Sequence, residues 1–242
     1  MRKVFSFFFA FTFYSLVGQV STITWDYPVK PGSEKWKSLK SHMEMVEICQ
    51  IPEVIIHKLS TKDLATICLD YPLFFTLTAF NNMQQGFEQV STEFNGFSEL
   101  YKRKDSGKEL LLLYRELNPE NIKLESTDLD KGLFEFKIFF LEFMLAQNKL
   151  FINLSQSELK ELLIECCQKA KQKQNSKYSI FQVQSSYLVM ARLLDFVQYN
   201  KFIEKYNVNP GRYDFFIKAV SLPDREILNE FDTMAIDFIN SH

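Results

Sequence analysis

The chain has 242 residues, 46% of them apolar and 24% charged, with a formal net charge of −2. That balance allows a buried core and excludes a disordered tail, a fibrous repeat and a strongly basic nucleic-acid binder. Seven Gly beside 25 Phe is less than half the usual Gly share of roughly 7%, which argues against a turn-dense β-sandwich or a Gly-rich phosphate loop.

Met1-Arg2-Lys3 is a short positive start, and Val4 to Val17 is uncharged and holds six Phe. This is the layout of a secretory leader, because the 14-residue apolar run falls short of the ~18 to 20 residues a helix needs to cross hydrocarbon. Residues 1–19 are read as a signal peptide, with Gly18-Gln19 offering the cleavage point and an uncleaved anchor as the alternative. Once it is removed, no stable transmembrane span is expected. The leader carries Arg2 and Lys3 and no acid, so 26 basic residues face 30 acidic ones in the mature chain. No nucleic-acid partner is expected from that balance.

Helix-start signals then recur in order. Ser41-His42-Met43-Glu44, Ser60-Thr61-Lys62-Asp63 and Ser155-Gln156-Ser157-Glu158 have the capping-box form or a close relative of it, and Pro52, Pro72 and Pro223 suit first turns. Helices are predicted over 33–40, 42–50, 52–59, 61–70, 72–93 with a break, 97–104, 107–117, 130–147, 156–174, 178–205, 212–220 and 223–240. Glu47-Ile48-Cys49-Gln50-Ile51-Pro52 is echoed by Thr66-Ile67-Cys68-Leu69-Asp70-Tyr71-Pro72, which reads as short antiparallel helices stacked side by side. The amide-rich run Asn81, Asn82, Gln84, Gln85, Gln89 puts Asn81, Gln85 and Gln89 on one helix face, read first as solvated and second as a sugar or peptide contact. Asn118-Pro119-Glu120-Asn121 opens the best boundary, dividing 20–118, with short helices, from 119–242, with longer ones, unless the array is continuous. Beyond it, Phe136, Phe139, Phe140 and Phe143 fall at i, i+3, i+4, i+7 and read as core, while Glu135 and Glu142 share another face. Lys169, Lys171, Lys173 and Lys177 read as a solvated helix end.

No chemistry stands out. His42, His57 and His242 are not at metal-binding spacing, and no nucleophile elbow or phosphate loop occurs. No metal or cofactor is expected. Asp26, Glu53, Asp63, Asp70 and Asp195 have apolar neighbours that would raise a carboxyl pKa, yet they read first as caps and solvated faces, and no catalytic residue is assigned. Cys166-Cys167 cannot easily bond within one helix, so Cys49 with Cys68 is the reasonable disulfide, against buried free thiols as the plainer reading. Asn153-Leu154-Ser155 fits an N-glycosylation acceptor.

Asp26-Tyr27-Pro28-Val29-Lys30-Pro31-Gly32 with Trp36, then Cys49-Gln50-Ile51-Pro52-Glu53, Cys68-Leu69-Asp70-Tyr71-Pro72-Leu73-Phe74 and Gly86-Phe87-Glu88, carry a resemblance. Over residues 25–118 the chain resembles a family of exported, uncharacterised proteins of Bacteroidota-type bacteria. The resemblance implies export, bacterial origin and a helical N-terminal region, and no site residues.

The expectation is an exported all-α protein of stacked antiparallel helices, helical-repeat-like, acting as an envelope or extracellular binding module for a protein, peptide or glycan partner. The competing reading is a secreted hydrolase with a carboxylate or thiol site. Tyr27, Trp36 and the amide-rich helix form a third idea, a joint sugar or peptide site.

Overall fold

The computed structural model describes residues 24–125 and 127–241, so the predicted leader and His242 lie outside the described residues. Among these residues the fold is all-α, with helices packed on one another and no strand. Short elements come first: α1 (Glu34–Ser38), α2 (His42–Ile48), α3 (Glu53–Ile56), α4 (Thr61–Leu69), a 3-10 turn over Phe74–Ala79, α5 (Met83–Glu93), α6 (Asn95–Leu100) and α7 (Ser106–Glu116). A second 3-10 turn, Pro119–Leu124, leads into α8 (Asp128–Leu145), α9 (Asn148–Phe151), α10 (Gln156–Asn175), α11 (Ile180–Phe196), α12 (Asn200–Val208), α13 (Pro210–Ile217) and α14 (Glu226–Ser241).

The caps explain most starts. At α10 the Ser155 hydroxyl accepts from Glu158 N–H at 3.2 Å while Glu158 Oε2 accepts from Ser155 N–H at 2.8 Å, a reciprocal box. At α2 Ser41 accepts from Glu44 N–H at 3.2 Å, but the Glu44 carboxylate reaches one residue further and takes Lys40 N–H at 2.8 Å. Two boxes escaped the sequence reading, Thr127 with Asp130 and Ser179 with Gln182. Pro52 caps α3 from just outside it. Pro223 stands before α14, whose first turn is held by Asp224 accepting Ile227 N–H at 3.0 Å. The prolines inside first turns are Pro119 and Pro210.

The predicted 178–205 helix is two helices, α11 and α12. Gln198 takes the left-handed conformation at φ 52°, and Tyr199 N–H reaches back to Leu194 O at 3.0 Å, which closes α11 in the manner of a Schellman turn. Lys177 does the same after α10, with φ 62° and Tyr178 N–H on Lys173 O at 3.1 Å. Neither position holds the glycine such a turn favours. Gly86 serves close approach instead: a Cβ there would stand 2.1 Å from Leu77 O, so α5 can press on the first 3-10 turn only with glycine at that position.

The core is one buried cluster running from Tyr27 to Phe238. Helix α11 sits at its centre, touching α8, α9, α10, α12, α13 and α14. Its inner stretch Gln182–Ala191 is buried at every position, as expected of a helix with no solvent face. The Phe stripe of α8 packs across position 118: Phe140 stacks on Phe74 at 4.1 Å and Phe143 meets Phe87 at 5.4 Å. Tyr178 also donates to Pro119 O at 3.0 Å. Aromatic contact therefore joins the two regions divided in the sequence at 118.

Candidate functional site

One group of ionisable side chains is closed to solvent. Glu142 of α8 is fully buried and Lys173 of α10 is 1% exposed, and the two form an ion pair. Glu142 also accepts from Tyr114 at 2.6 Å, from Ser186 at 2.7 Å and from Ser185, while Lys173 donates to Gln182 O at 2.8 Å. Burial pulls the Lys173 ammonium pKa down, and Glu142 opposes that. Glu135, one heptad before Glu142, accepts from Gln182. The solvated-end reading of the basic run is thus corrected: Lys169 and Lys173 lie on the buried face of α10, and only Lys171 and Lys177 are exposed. These two lysines continue the apolar stripe of Leu159, Leu162, Cys166 and Ala170, and Glu142 supplies the charge that lets Lys173 stay inside. A network sealed this way fixes how α7, α8, α10 and α11 pack.

Accessible chemistry gathers elsewhere, in a cleft of about 780 Å³ where α5, the α8–α9 joint, α11 and α13 meet. Helix α5 presents Gln84, Glu88 and Ser91 at i, i+4 and i+7, one face of a helix. Gln84 Nε2 donates to Glu88 Oε1 at 3.0 Å and to Gln147 Oε1 at 3.2 Å, and Gln147 Nε2 is anchored on Phe143 O at 2.8 Å. From α11, Arg192 clamps Ile217 O at 2.9 and 2.7 Å and Ala146 O at 3.2 Å, so its guanidinium ties α13 and the end of α8 to the cleft wall. Burial lowers the Arg192 pKa to about 10. Asp195, one turn on, is raised, chiefly by burial and against the pull of Lys218.

A recess of about 510 Å³ continues the cleft, sharing Gln84, Glu88, Gln147 and Lys149 with it. Lys149 Nζ lies 3.8 Å from the centroid of the Tyr101 ring, a cation–π contact. Burial pulls Lys149 down and Glu88 partly offsets it. Three polar atoms lining this recess are buried without a hydrogen-bond partner: Gln84 Oε1, Ser91 Oγ and the Tyr101 hydroxyl. Ser91 is close enough to pull the Tyr101 phenol pKa down slightly, but burial dominates and pushes it far up. Unsatisfied buried polar atoms are uncommon in folded proteins, and three of them line this one recess.

Asn81, Gln85 and Gln89 are exposed, and Gln89 bonds to Glu93 at 2.8 Å on its own helix. The polar residues of α5 that line the recess are Gln84, Glu88, Ser91 and Thr92 instead. Tyr27 is buried with its hydroxyl on Ile67 O at 2.7 Å, and it lines a separate apolar groove with Tyr71, Phe75 and Phe136. Trp36 lines neither that groove nor the cleft. The joint site of Tyr27, Trp36 and the amide-rich helix is therefore abandoned. Asp26 pairs with Lys30 at 2.5 Å, Asp70 with Lys137 at 2.8 Å, Glu53 with His57 at 3.2 Å, and Asp63 accepts from Ser60 at 2.6 Å. Of the five acids singled out in the sequence, Asp195 alone lines the cleft. His42 pairs with Glu93 at 3.0 Å, and His57 caps the end of α3.

All four cysteines are free, and Cys49 and Cys68 are not joined. Both thiols lie near the Tyr27 phenol and help raise its pKa. Burial pushes Cys49 and Cys167 up to about 11 and raises Cys68 and Cys166 well above the ordinary thiol value. Asn153 is exposed, one residue before the buried Leu154. Among the described residues no helix is long and apolar enough to cross a membrane. No family model, curated protein or solved structure matches the chain.

Proposed function

We propose that the protein is an exported binding module whose polar trench, the cleft with its inner recess, holds an extended peptide. The observation that carries this is the lining: the side-chain amides of Asn82, Gln84, Gln85, Gln147 and Asn148 converge there. Each amide has both a donor and an acceptor, as each peptide unit does, so an amide wall can pair with a backbone whatever its sequence. A glycan is less well served. Sugar faces stack on exposed rings, the wider cleft has no aromatic lining residue, and the Tyr101 ring in the recess is covered by Lys149. Export rests on the basic start and apolar run of residues 1–17 and on the resemblance to an exported family.

The hydrolase reading keeps one specific support, Asp195 raised by burial at the cleft wall. A thiol version has none, because each thiol is raised rather than lowered and none lines the trench. Tyr101 is also pushed the wrong way for a phenolate base.

Equilibrium dialysis of the purified mature chain against a random pentapeptide library and, separately, an oligosaccharide panel tests the reading. Peptides should be retained intact, and Gln84→Ala should weaken retention by about tenfold, the scale of one or two lost buried hydrogen bonds. Sugar retention alone would overturn it. Cleavage of the peptides, abolished in Asp195→Asn, would instead establish the hydrolase.

A further inference from the structure

Resting on the peptide reading, we propose that the inner recess is the subsite for a peptide's free C-terminal carboxylate, with Lys149 as its cation and Gln84 Oε1 accepting the last backbone N–H. Gln84 already commits its amide nitrogen to Glu88 at 3.0 Å and to Gln147 at 3.2 Å, which fixes the orientation of the amide and leaves Oε1 buried without a donor. An acceptor left in that state costs roughly 1–3 kcal/mol until a donor arrives. A peptide N–H entering the recess supplies such a donor.

Lys149 has its ammonium over the Tyr101 ring, and the carboxylate acting on it is Glu88, which lines the same recess. An ammonium carries three donors, and the ring face uses none of them as a hydrogen bond. The Tyr101 and Ser91 hydroxyls face one another and have no other partner, so a proton of this pair can turn to the second carboxylate oxygen. Facing charges favour an anion: Lys102 and Lys149 line the recess against Glu88, one of whose oxygens is held by Gln84.

A side-chain carboxylate would meet Lys149 but would bring no amide N–H at a fixed short distance. The terminal residue of a peptide has both, since its N–H and carboxylate flank a single Cα. That pairing matches one cation and one unsatisfied acceptor in the same recess. It also gives direction to the trench: the preceding residues run out along Gln147 and Asn148 toward Arg192 and Asp195.

Two random pentapeptide libraries, identical except that one ends in a free acid and the other in a carboxamide, are dialysed against the purified chain. Free-acid peptides should be retained about tenfold more strongly, the scale of a charge-assisted hydrogen bond. Lys149 is exposed, so Lys149→Met should fold normally, which far-UV circular dichroism checks. It should bring free-acid retention down to the level at which the same variant retains the carboxamide library. Tyr101→Phe should weaken only the free-acid library. Equal retention of both libraries by the unmodified chain, or a preference that survives Lys149→Met, overturns the subsite while leaving peptide binding intact. Retention of neither library overturns peptide binding and the subsite with it.

Discussion

At the scale of single residues, charge is placed by what is able to neutralise it. Arg212 grips Asp224 through two bonds of 2.6 and 2.7 Å, and this holds the Asp224 carboxyl down at about 2, below its ordinary value of 3.8. A carboxyl lowered on folding stabilises the native state above its unfolded pKa and loses that contribution as the pH falls through its folded value. The window therefore runs from roughly pH 4 down to about 2. Asp224 is 39% exposed on its side chain, so solvent screening keeps the effect small. Asp224→Asn retains a good cap for α14 while removing the charge. Its urea midpoint should lie below that of the unmodified chain at pH 6 and draw level with it near pH 2; a gap that persists at pH 2 would contradict the assignment.

The same scale shows what was legible in the sequence. Lys169 and Lys173 sit at i, i+4 in register with Leu162, Cys166 and Ala170, so their burial was written in the pattern. What the pattern does not contain is the partner, because Glu142 comes from a helix 31 residues away. A buried lysine is tolerable only with such a partner, and periodicity along one helix says nothing of the facing one.

At the scale of elements, local chemistry predicted most starts and few stops. Ser, Thr and Asn caps act within four residues and are readable directly, as at Ser41, Ser60 and Ser155. Stops at Lys177 and Gln198 use left-handed residues without glycine, which removes the usual signal and merged α11 with α12 in the sequence reading. This also gives a stability prediction. Lys177 is exposed and its side chain is not required by the turn, so Lys177→Gly should relieve the left-handed strain and raise stability by about 0.5–1 kcal/mol, read as a higher urea midpoint. A lower midpoint would show that the turn gains nothing from glycine. The trench was less legible for a related reason. On α5, polar residues occupy both the 81/85/89 and 84/88/91 faces, a rotation of about one residue apart, and only tertiary packing decides which faces the recess.

At the scale of the whole molecule, a sealed ionic network and an open trench share α8 and α11. Glu142 and Ser185 lie on the sealed side, while Gln147, at the end of α8, and Arg192 of α11 reach the trench. The rigid interior thereby sets the trench wall, which is the arrangement a preorganised binding site needs. The Phe excess belongs to this interior: Phe74, Phe87, Phe139 and Phe143 are each at most 1% exposed and none lines the wide cleft. Abundant Phe therefore accounts for packing, and the proposed recognition falls to the amides and hydroxyls along α5 and the α8–α9 joint. The central claim is that this trench, and no other face, takes a peptide. Nitrogen-15 NMR of the side-chain amides and backbone, during titration with free-acid pentapeptides, tests it most directly. The account predicts shifts confined to Gln84, Ser91, Gln147, Asn148 and their neighbours; shifts centred on the apolar groove of Tyr71, Phe75 and Phe136, or none at all, would contradict it.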